Sequence, residues 1–521
     1  MQDDQPEGMS EFIEQLRPPI TKSSGFTETE RYLARLGDRT FLNLWSYPSP
    51  YREQKLQGAG DGKELCDLLV VCDPHIVIFS EKQIKWTDAP VEVAWTRWLK
   101  RAVFDAAKQL RGAERWIKEF PERIFLDKEC TEAFPLDLPS PNRRRIHRVI
   151  VAGGAANASR TYFRGGSGTL PIRPGLLGRH HLDADHPSFA PFAVGDIEPE
   201  EDFVHVFDEV ALDVVLQELD TITDFTEYLD KRAAFIRSGR LDLASGEEDL
   251  LAYYATRIND DGQHDFSAPG GESWEAIGSI SIEGGYSRML REPQYLAKKE
   301  VDQVSYVWDR LIEAFTTHLL DGTSIVLPGY EYSLKGSEQA VRYMALENRF
   351  MRRGLSRAVI GALEIGRTKE IFFRLVAGSA GSTETGFFIV TLKFMDWMKS
   401  RGGYDAYRQV RTGYLQAYAK AVLMDKPHLK RVVGVAMEPP GQGGGASEDN
   451  LLMLQQEWTV EDRREHEELC QNLRIWTKIK ERPYRDKEYP DVPGHGRAGS
   501  PGGNRRSRRA AAARARSRAK R

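Results

Sequence analysis

The stretch Glu64-Leu65-Cys66-Asp67-Leu68-Leu69-Val70-Val71-Cys72-Asp73-Pro74-His75-Ile76-Val77-Ile78-Phe79-Ser80-Glu81-Lys82-Gln83 decides how the chain is read. Two apolar runs rich in β-branched residues flank Asp73-Pro74, and that dipeptide signals a turn, so a β-hairpin is expected. Asp67 lies in the first run, and Glu81, Lys82 and Gln83 stand where the second run surfaces. Carboxylates on adjacent strands can share a divalent metal, and a neighbouring lysine can orient or activate a water. That set of groups suits phosphodiester hydrolysis.

The flanking segments supply the rest of a fold. Thr27 as N-cap, with Tyr32, Leu33 and Leu36 at helical spacing, predicts a helix over 27–36. The alternating run from Thr40 to Tyr47 predicts a strand. Pro90 opens a long helix reaching about Phe120, with Trp95, Trp98, Leu99, Ala102, Val103, Ala106, Leu110, Ala113 and Ile117 at helical spacing. Arg144 to Ala152 reads as a further strand. The order is α-β-β-β-α-β.

On these residues and this order, roughly residues 20–155 resemble the PD-(D/E)XK nuclease superfamily, the restriction-endonuclease-like fold. The resemblance implies Glu30 as the first-helix acid, Asp67 as the central metal ligand, and Glu81 with Lys82 as the signature acid and lysine. In that reading Glu30, Asp67 and Glu81 coordinate Mg²⁺ or Mn²⁺, and Lys82 or Gln83 positions the attacking water. The family pattern has one residue between acid and lysine, whereas Glu81 and Lys82 are adjacent. Either Ser80-Glu81-Lys82 supplies the lysine with a serine in the acid's place, or Glu81-Lys82-Gln83 supplies the acid with a glutamine in the lysine's place. A regular strand puts Ser80 with Lys82 on one face and Glu81 with Gln83 on the other, and a bulge would bring Glu81 and Lys82 together. The implied function is metal-dependent hydrolysis of DNA, in defence or repair. Two other classes fit the same residues: a non-catalytic nucleic-acid-binding or scaffold protein that keeps the fold, and a stress or defence regulator that binds a protein partner.

Composition sets the outer bounds. A chain of 521 residues is too long for one ordinary core, so two or three domains are expected. Its 40% hydrophobic and 29% charged residues fit a globular protein. No apolar run approaches the ~20 residues that span a bilayer, and MQDDQPEGMSEF is polar and acidic, unlike a signal peptide. Cys66, Cys72, Cys130 and Cys470 have no C-x-x-C spacing and read as reduced thiols, so a cytoplasmic protein is expected. From Arg497 to Arg521 there are ten Arg/Lys and no acid. Such a tail cannot bury a core and is expected to be disordered; it either holds DNA or RNA through phosphates or has no specific partner.

The expected organisation is mixed α/β: a disordered 1–24, a nuclease-like 25–155, and a Gly/Pro/His-rich loop region over 156–200. A helical block over 201–265, a second α/β domain over 270–480 and a disordered basic 481–521 follow. Gly165-Gly166-Ser167-Gly168 lacks the Lys-Ser/Thr of a nucleotide-binding loop. His180-His181-Leu182-Asp183-Ala184-Asp185-His186 packs five possible metal ligands into seven residues, but no periodic pattern fixes their geometry, so an exposed polar loop is the plainer reading. Arg143-Arg144-Arg145 reads as a DNA-facing edge or an exposed loop. Glu247, Glu248 and Asp249 read as first-turn caps and solvated acids. Arg349, Arg352, Arg353 and Arg357 lie on one predicted helix, facing either phosphates or solvent with their stems on apolar surface.

Overall fold

The structure is a computed structural model, and it describes residues 17–55, 61–377, 384–441, 447–476, 479–483 and 485–492. Helix α1 (Glu28–Phe41) starts at Thr27, whose hydroxyl accepts from Glu30 N while the Glu30 side chain reaches back to the cap. The strand expected over 40–47 is shorter, because α1 runs to Phe41, Leu42 takes φ 63°, and Asn43–Trp45 form a 3₁₀ turn before β1 (Ser46–Pro48). Phe41, Leu42, Leu44 and Trp45 are all buried. An enclosed segment has no polar face to mark its period, and the apolar spacing there imitates a strand.

Strands β2 (Leu68–Cys72) and β3 (His75–Gln83) form the expected hairpin, with Cys72 opposite His75 across Asp73-Pro74. The long helix follows as α2 (Val91–Leu99) and α3 (Asp105–Glu119), joined by a π-helical turn over Lys100–Phe104. Then come β4 (Arg145–Gly153), the short α4 (Ala156–Tyr162) and β5 (Val204–Phe207). The sheet order is β1-β2-β3-β4-β5, with β2 antiparallel to both neighbours and β3, β4 and β5 parallel. Alternate residues serve opposite layers. Leu68, Val70, Val77 and Phe79 pack with Leu33, Leu36 and Phe41 of α1, while Leu69, Val71, Ile76 and Ile78 pack with Trp95, Trp98 and Leu110 of α2 and α3. Each of these eight strand residues is no more than 1% exposed. Burying a side chain of this size contributes about 1.5–3 kcal/mol.

Helices α5 (Glu209–Glu218), α6 (Ile222–Arg237) and α7 (Glu247–Ala255) follow. The first-turn acids of α7 are anchors, correcting the expectation of solvated charges. Glu247 accepts from Arg232 at 2.8 Å and from Tyr228 at 2.5 Å. Glu248 takes the Ser167 and Thr169 hydroxyls at 2.6 Å each, and Asp249 takes the Gly284 and Tyr286 N–H groups at 2.8 and 2.9 Å. In the His180–His186 segment, His181 is wholly buried; Gly195 N–H donates to its Nε2 at 2.9 Å, so Nδ1–H donates to Gly178 O at 2.7 Å. His180 and His186 stack at 3.9 Å. Among the described residues no three His, Cys, Asp or Glu side chains form a group able to hold a metal.

The second half carries α8 (Tyr306–Leu320), α9 (Leu334–Ala345) and α10 (Arg349–Gly366). They lie against a sheet of β6 (Ile371–Val376), β7 (Thr385–Leu392), β8 (Arg431–Met437) and β9 (Glu448–Leu454) in that order. β7 and β8 are parallel, and α11 (Gly403–Asp425) makes the connection between them. One buried cluster runs unbroken from Leu68 and Phe79 through Phe225 and Tyr228 to Trp308, Phe387 and Val433. No helix among the described residues is long and apolar enough to cross a membrane.

Three of the four arginines expected on a solvated face of α10 are enclosed, which corrects that expectation for them, while the Arg357 side chain stays 39% exposed beside Asp486. Arg349, Arg352 and Arg353 are buried; Arg349 and Arg352 share Asp309 at 2.6 and 2.7 Å, and Arg353 meets Asp302 at 3.0 Å. Arg353 also reaches Asp486 at 3.1 Å and the carbonyl of Lys487 at 2.6 Å. Residues 485–492, within the stretch expected to be disordered, are thus strapped to α10, and Tyr489 bonds Ala255 O at 2.6 Å. Residues 17 and 20 likewise hydrogen-bond the end of α8 through Gly322 O and Leu320 O. The tail beyond Arg497 and residues 1–16 lie outside the described residues.

Two outcomes follow from these buried groups. Replacing one partner of a buried ion pair strands the other charge, so Arg353→Met is expected to cost about 3–5 kcal/mol and to expose 485–492 to limited proteolysis. Chemical denaturation with mass-mapped cleavage checks both. Burial, then His147 and Arg145, hold His75 down at about 3, while burial and Arg145 hold His147 at about 4. Unfolded histidine takes a proton near pH ~6.5, so the unfolded state binds more protons and stability falls as pH drops below that value toward the folded ones. Relative to His147→Leu, the native chain should therefore lose about 2 kcal/mol between pH ~7 and ~5 in matched denaturant titrations. An equal pH slope in the two proteins contradicts this.

Candidate active site

The first sheet delivers Asp67 and Glu81–Gln83 to one edge. Asp67, 5% exposed, immediately precedes β2, and the register Leu68–Phe79 sets it opposite Ser80. Its Oδ2 accepts the Glu81 backbone N–H at 2.5 Å and lies 3.5 Å from Lys82 Nζ. β3 pairs with β4 from His75 to Gln83 without a register shift, so no bulge rearranges the acid and the lysine. Lys82 therefore joins Asp67, while Glu81 turns toward α1, where the Thr29 hydroxyl donates to its Oε2 at 3.1 Å. Gln83 is exposed, and its amide occupies the space a Cβ on Gly153 would need, 1.8 Å from that position. A glycine at 153 is what lets the glutamine lie across β4.

Glu30 is only partly available. Its Oε2 accepts Phe26 N at 2.7 Å and Thr27 N at 3.3 Å, so the carboxylate is committed to capping α1. Its charge still acts on the site. Burial raises the Asp67 carboxyl; Lys82 and the Glu81 N–H oppose this, and Glu30 adds to it. Glu81 is raised by burial and then by Asp67 and Glu30, against the Thr29 hydrogen bond and Lys82.

One further acid belongs here. Glu64 ends a short strand (Gly62–Glu64) paired with Tyr51–Glu53, and its carboxyl is pushed up to about 6 by burial, then by Asp67 and Glu30. Its Oε1 is enclosed, and the Ser49 hydroxyl and Lys82 oppose that rise. Glu64 was in plain view three residues before Asp67, but a single acid ahead of an apolar run carries no spacing signal. Thr29, beside the capping residues, was equally silent.

The site thus gathers four carboxylates, with Glu30 and Lys82 each acting electrostatically on Glu64, Asp67 and Glu81. Carboxylate oxygens are the donor type that a hard divalent cation such as Mg²⁺ or Mn²⁺ takes, but among the described residues no three of these acids converge on one metal position. No family model, curated protein or solved structure matches the chain.

Lys82→Met is expected to move the Asp67 carboxyl further upward, because it removes the charge that favours the ionised form. Carboxyl-carbon NMR titration reads the shift, and an unmoved Asp67 would deny the ion pair.

Proposed function

We propose that the chain is a metal-dependent nuclease-like protein acting on phosphodiester bonds of DNA, with its N-terminal sheet a restriction-endonuclease-like core. The observation that carries this reading is the meeting of Asp67 with both the Glu81 backbone and Lys82, at the edge where β2 begins and β3 ends. The order α1-β1-β2-β3-α2/α3-β4, with a helical layer on each sheet face, supports the fold assignment. Cytoplasmic residence is part of the proposal and rests on four free thiols, two of them, Cys66 and Cys72, fully enclosed.

In this reading Asp67 and Glu81, assisted by Glu64 or Glu30, hold Mg²⁺ or Mn²⁺. A bound ion of this kind neutralises charge on the scissile phosphate and lowers the pKa of a coordinated water. The chain's own residues do the positioning. Thr29 fixes the Glu81 carboxylate, and the Glu81 N–H fixes that of Asp67. Lys82, tethered to Asp67 and with a side chain 28% exposed, offers an ammonium to a phosphate oxygen or a water. Gln83, on the Glu81 face, is the alternative positioner of that water.

A second reading, a nucleic-acid-binding protein without turnover, draws on one observation: Lys82 and Glu81 serve opposite faces of an unbulged strand. The deciding assay incubates purified full-length protein with plasmid, linear DNA and RNA in Mg²⁺ or Mn²⁺. Cleavage should stop with chelator and fall by at least about 100-fold in Asp67→Asn and Glu81→Gln, while thermal melts stay near the native value. Binding without cleavage by the native chain selects the second reading. Full activity in Asp67→Asn sinks the site assignment.

A further inference from the structure

We propose that Trp86, Tyr162 and Phe163 form a shelf on which unpaired bases of a single-stranded nucleic acid stack as the strand approaches the Asp67–Glu81–Lys82 cluster. The inference rests on the nuclease reading for what the strand approaches, and on its own residues for what the strand touches.

The topology puts the shelf where it is needed. β3 and β4 run parallel and end together, with Gln83 opposite Gly153 and Ile84 N–H bonded to Gly153 O at 3.1 Å. In sheets with parallel strands, ligands gather outside the carboxyl ends of those strands. Trp86 lies three residues beyond Gln83, within about 10 Å along the chain. On the neighbouring strand, α4 starts three residues beyond Gly153 and presents Tyr162 and Phe163 at its end. Both exits therefore lead aromatic rings to the edge that carries the acids.

The rings are braced from below. Phe192, 1% exposed, stacks on Trp86 at 5.1 Å and meets Tyr162 at 5.3 Å and Phe163 at 6.2 Å. Trp95 of the buried core supports Phe192 in turn at 5.3 Å. Tyr162 and Phe163 touch each other edge-on at 5.0 Å yet remain 45% and 50% exposed. A lone exposed ring needs no explanation, but two adjacent exposed rings fixed on a buried one form a rigid π surface. Just beyond them, the Cβ positions of Gly165 and Gly166 meet nothing within 4 Å, so the space beside the rings is open.

Charge identifies the occupant. Lys85, Arg160 and Arg164 flank the rings, are exposed, and enter no salt bridge among the described residues. Among the described residues, Arg160 donates to Ser167 O and Asn157 Oδ1. Aromatic faces interleaved with cations match a chain of alternating bases and phosphates. Stacking needs a free base face, which an intact duplex withholds, so the partner is single-stranded.

The test uses the full chain with chelator present, so that cleavage does not intrude. Anisotropy of a short fluorescent oligothymidine, and of a duplex of equal length, compares the native protein with Tyr162→Ala/Phe163→Ala. Removing both rings is expected to weaken single-strand binding by at least about ten-fold, to leave duplex binding nearly unchanged, and to raise by the same factor the oligonucleotide concentration that quenches tryptophan fluorescence. Because both rings are exposed, matching melting curves establish that the variant is folded. Native-level single-strand binding by the double variant overturns the shelf, even if metal-dependent cleavage of duplex DNA stands. Ring-dependent binding without any cleavage upholds the shelf while the nuclease reading falls. Ring-dependent capture of anionic lipid vesicles, with no oligonucleotide binding, also overturns it.

Discussion

β2 and β3 have no face turned to water. A hairpin buried on both sides has to be enclosed by two helical layers, and carboxylate and ammonium groups are excluded from it until the strands reach the rim. α1 meets one requirement, and α2 with α3 meets the other. The rim is where Asp67 enters and where β3 becomes progressively exposed from Glu81 to Gln83. The cluster of acids and lysine sits there because it is the first point along the hairpin at which charge is tolerated. Even so, Asp67 stays nearly enclosed, and its carboxylate depends on the Glu81 N–H and on Lys82.

The hairpin, the first helix with its Thr27 cap, the long helix after Pro90 and the strand before Gly153 were legible because each has a distinct period or a terminal signal. Residues 40–45 misled because their apolar spacing imitates a strand where the buried neighbours leave no polar face to mark a helical period. The site was half legible. Acids next to an apolar strand are visible in sequence, whereas the face each one takes depends on pairing register, which put Lys82 with Asp67 and Glu81 with Thr29. Glu64 joined only through a separate short sheet. β9 escaped notice because its residues, Glu448–Leu454, alternate weakly and their charged members are held by partners elsewhere in the fold.

Formal charge describes this surface poorly. Arg349, Arg352, Arg353 and Arg411 are all buried, matched to Asp220, Asp309, Asp302 and Asp449. Glu247 and Arg232 repeat the device between α6 and α7. Bidentate arginine suits such places, since its planar fork satisfies several acceptors at once and stays charged when enclosed.

The unbroken cluster from Phe79 to Phe387 bears on modularity. Phe225 lies 5.3 Å from Phe41, Trp45 donates to Glu338 at 2.7 Å, and Thr316 donates to Asn43 at 2.8 Å. The α1 side of the first sheet is roofed by helices that also floor the second. Neither half owns a complete interior, so this sheet is not a cassette that could be lifted intact into another protein. A substitution at the rim therefore acts on a body held together as one piece.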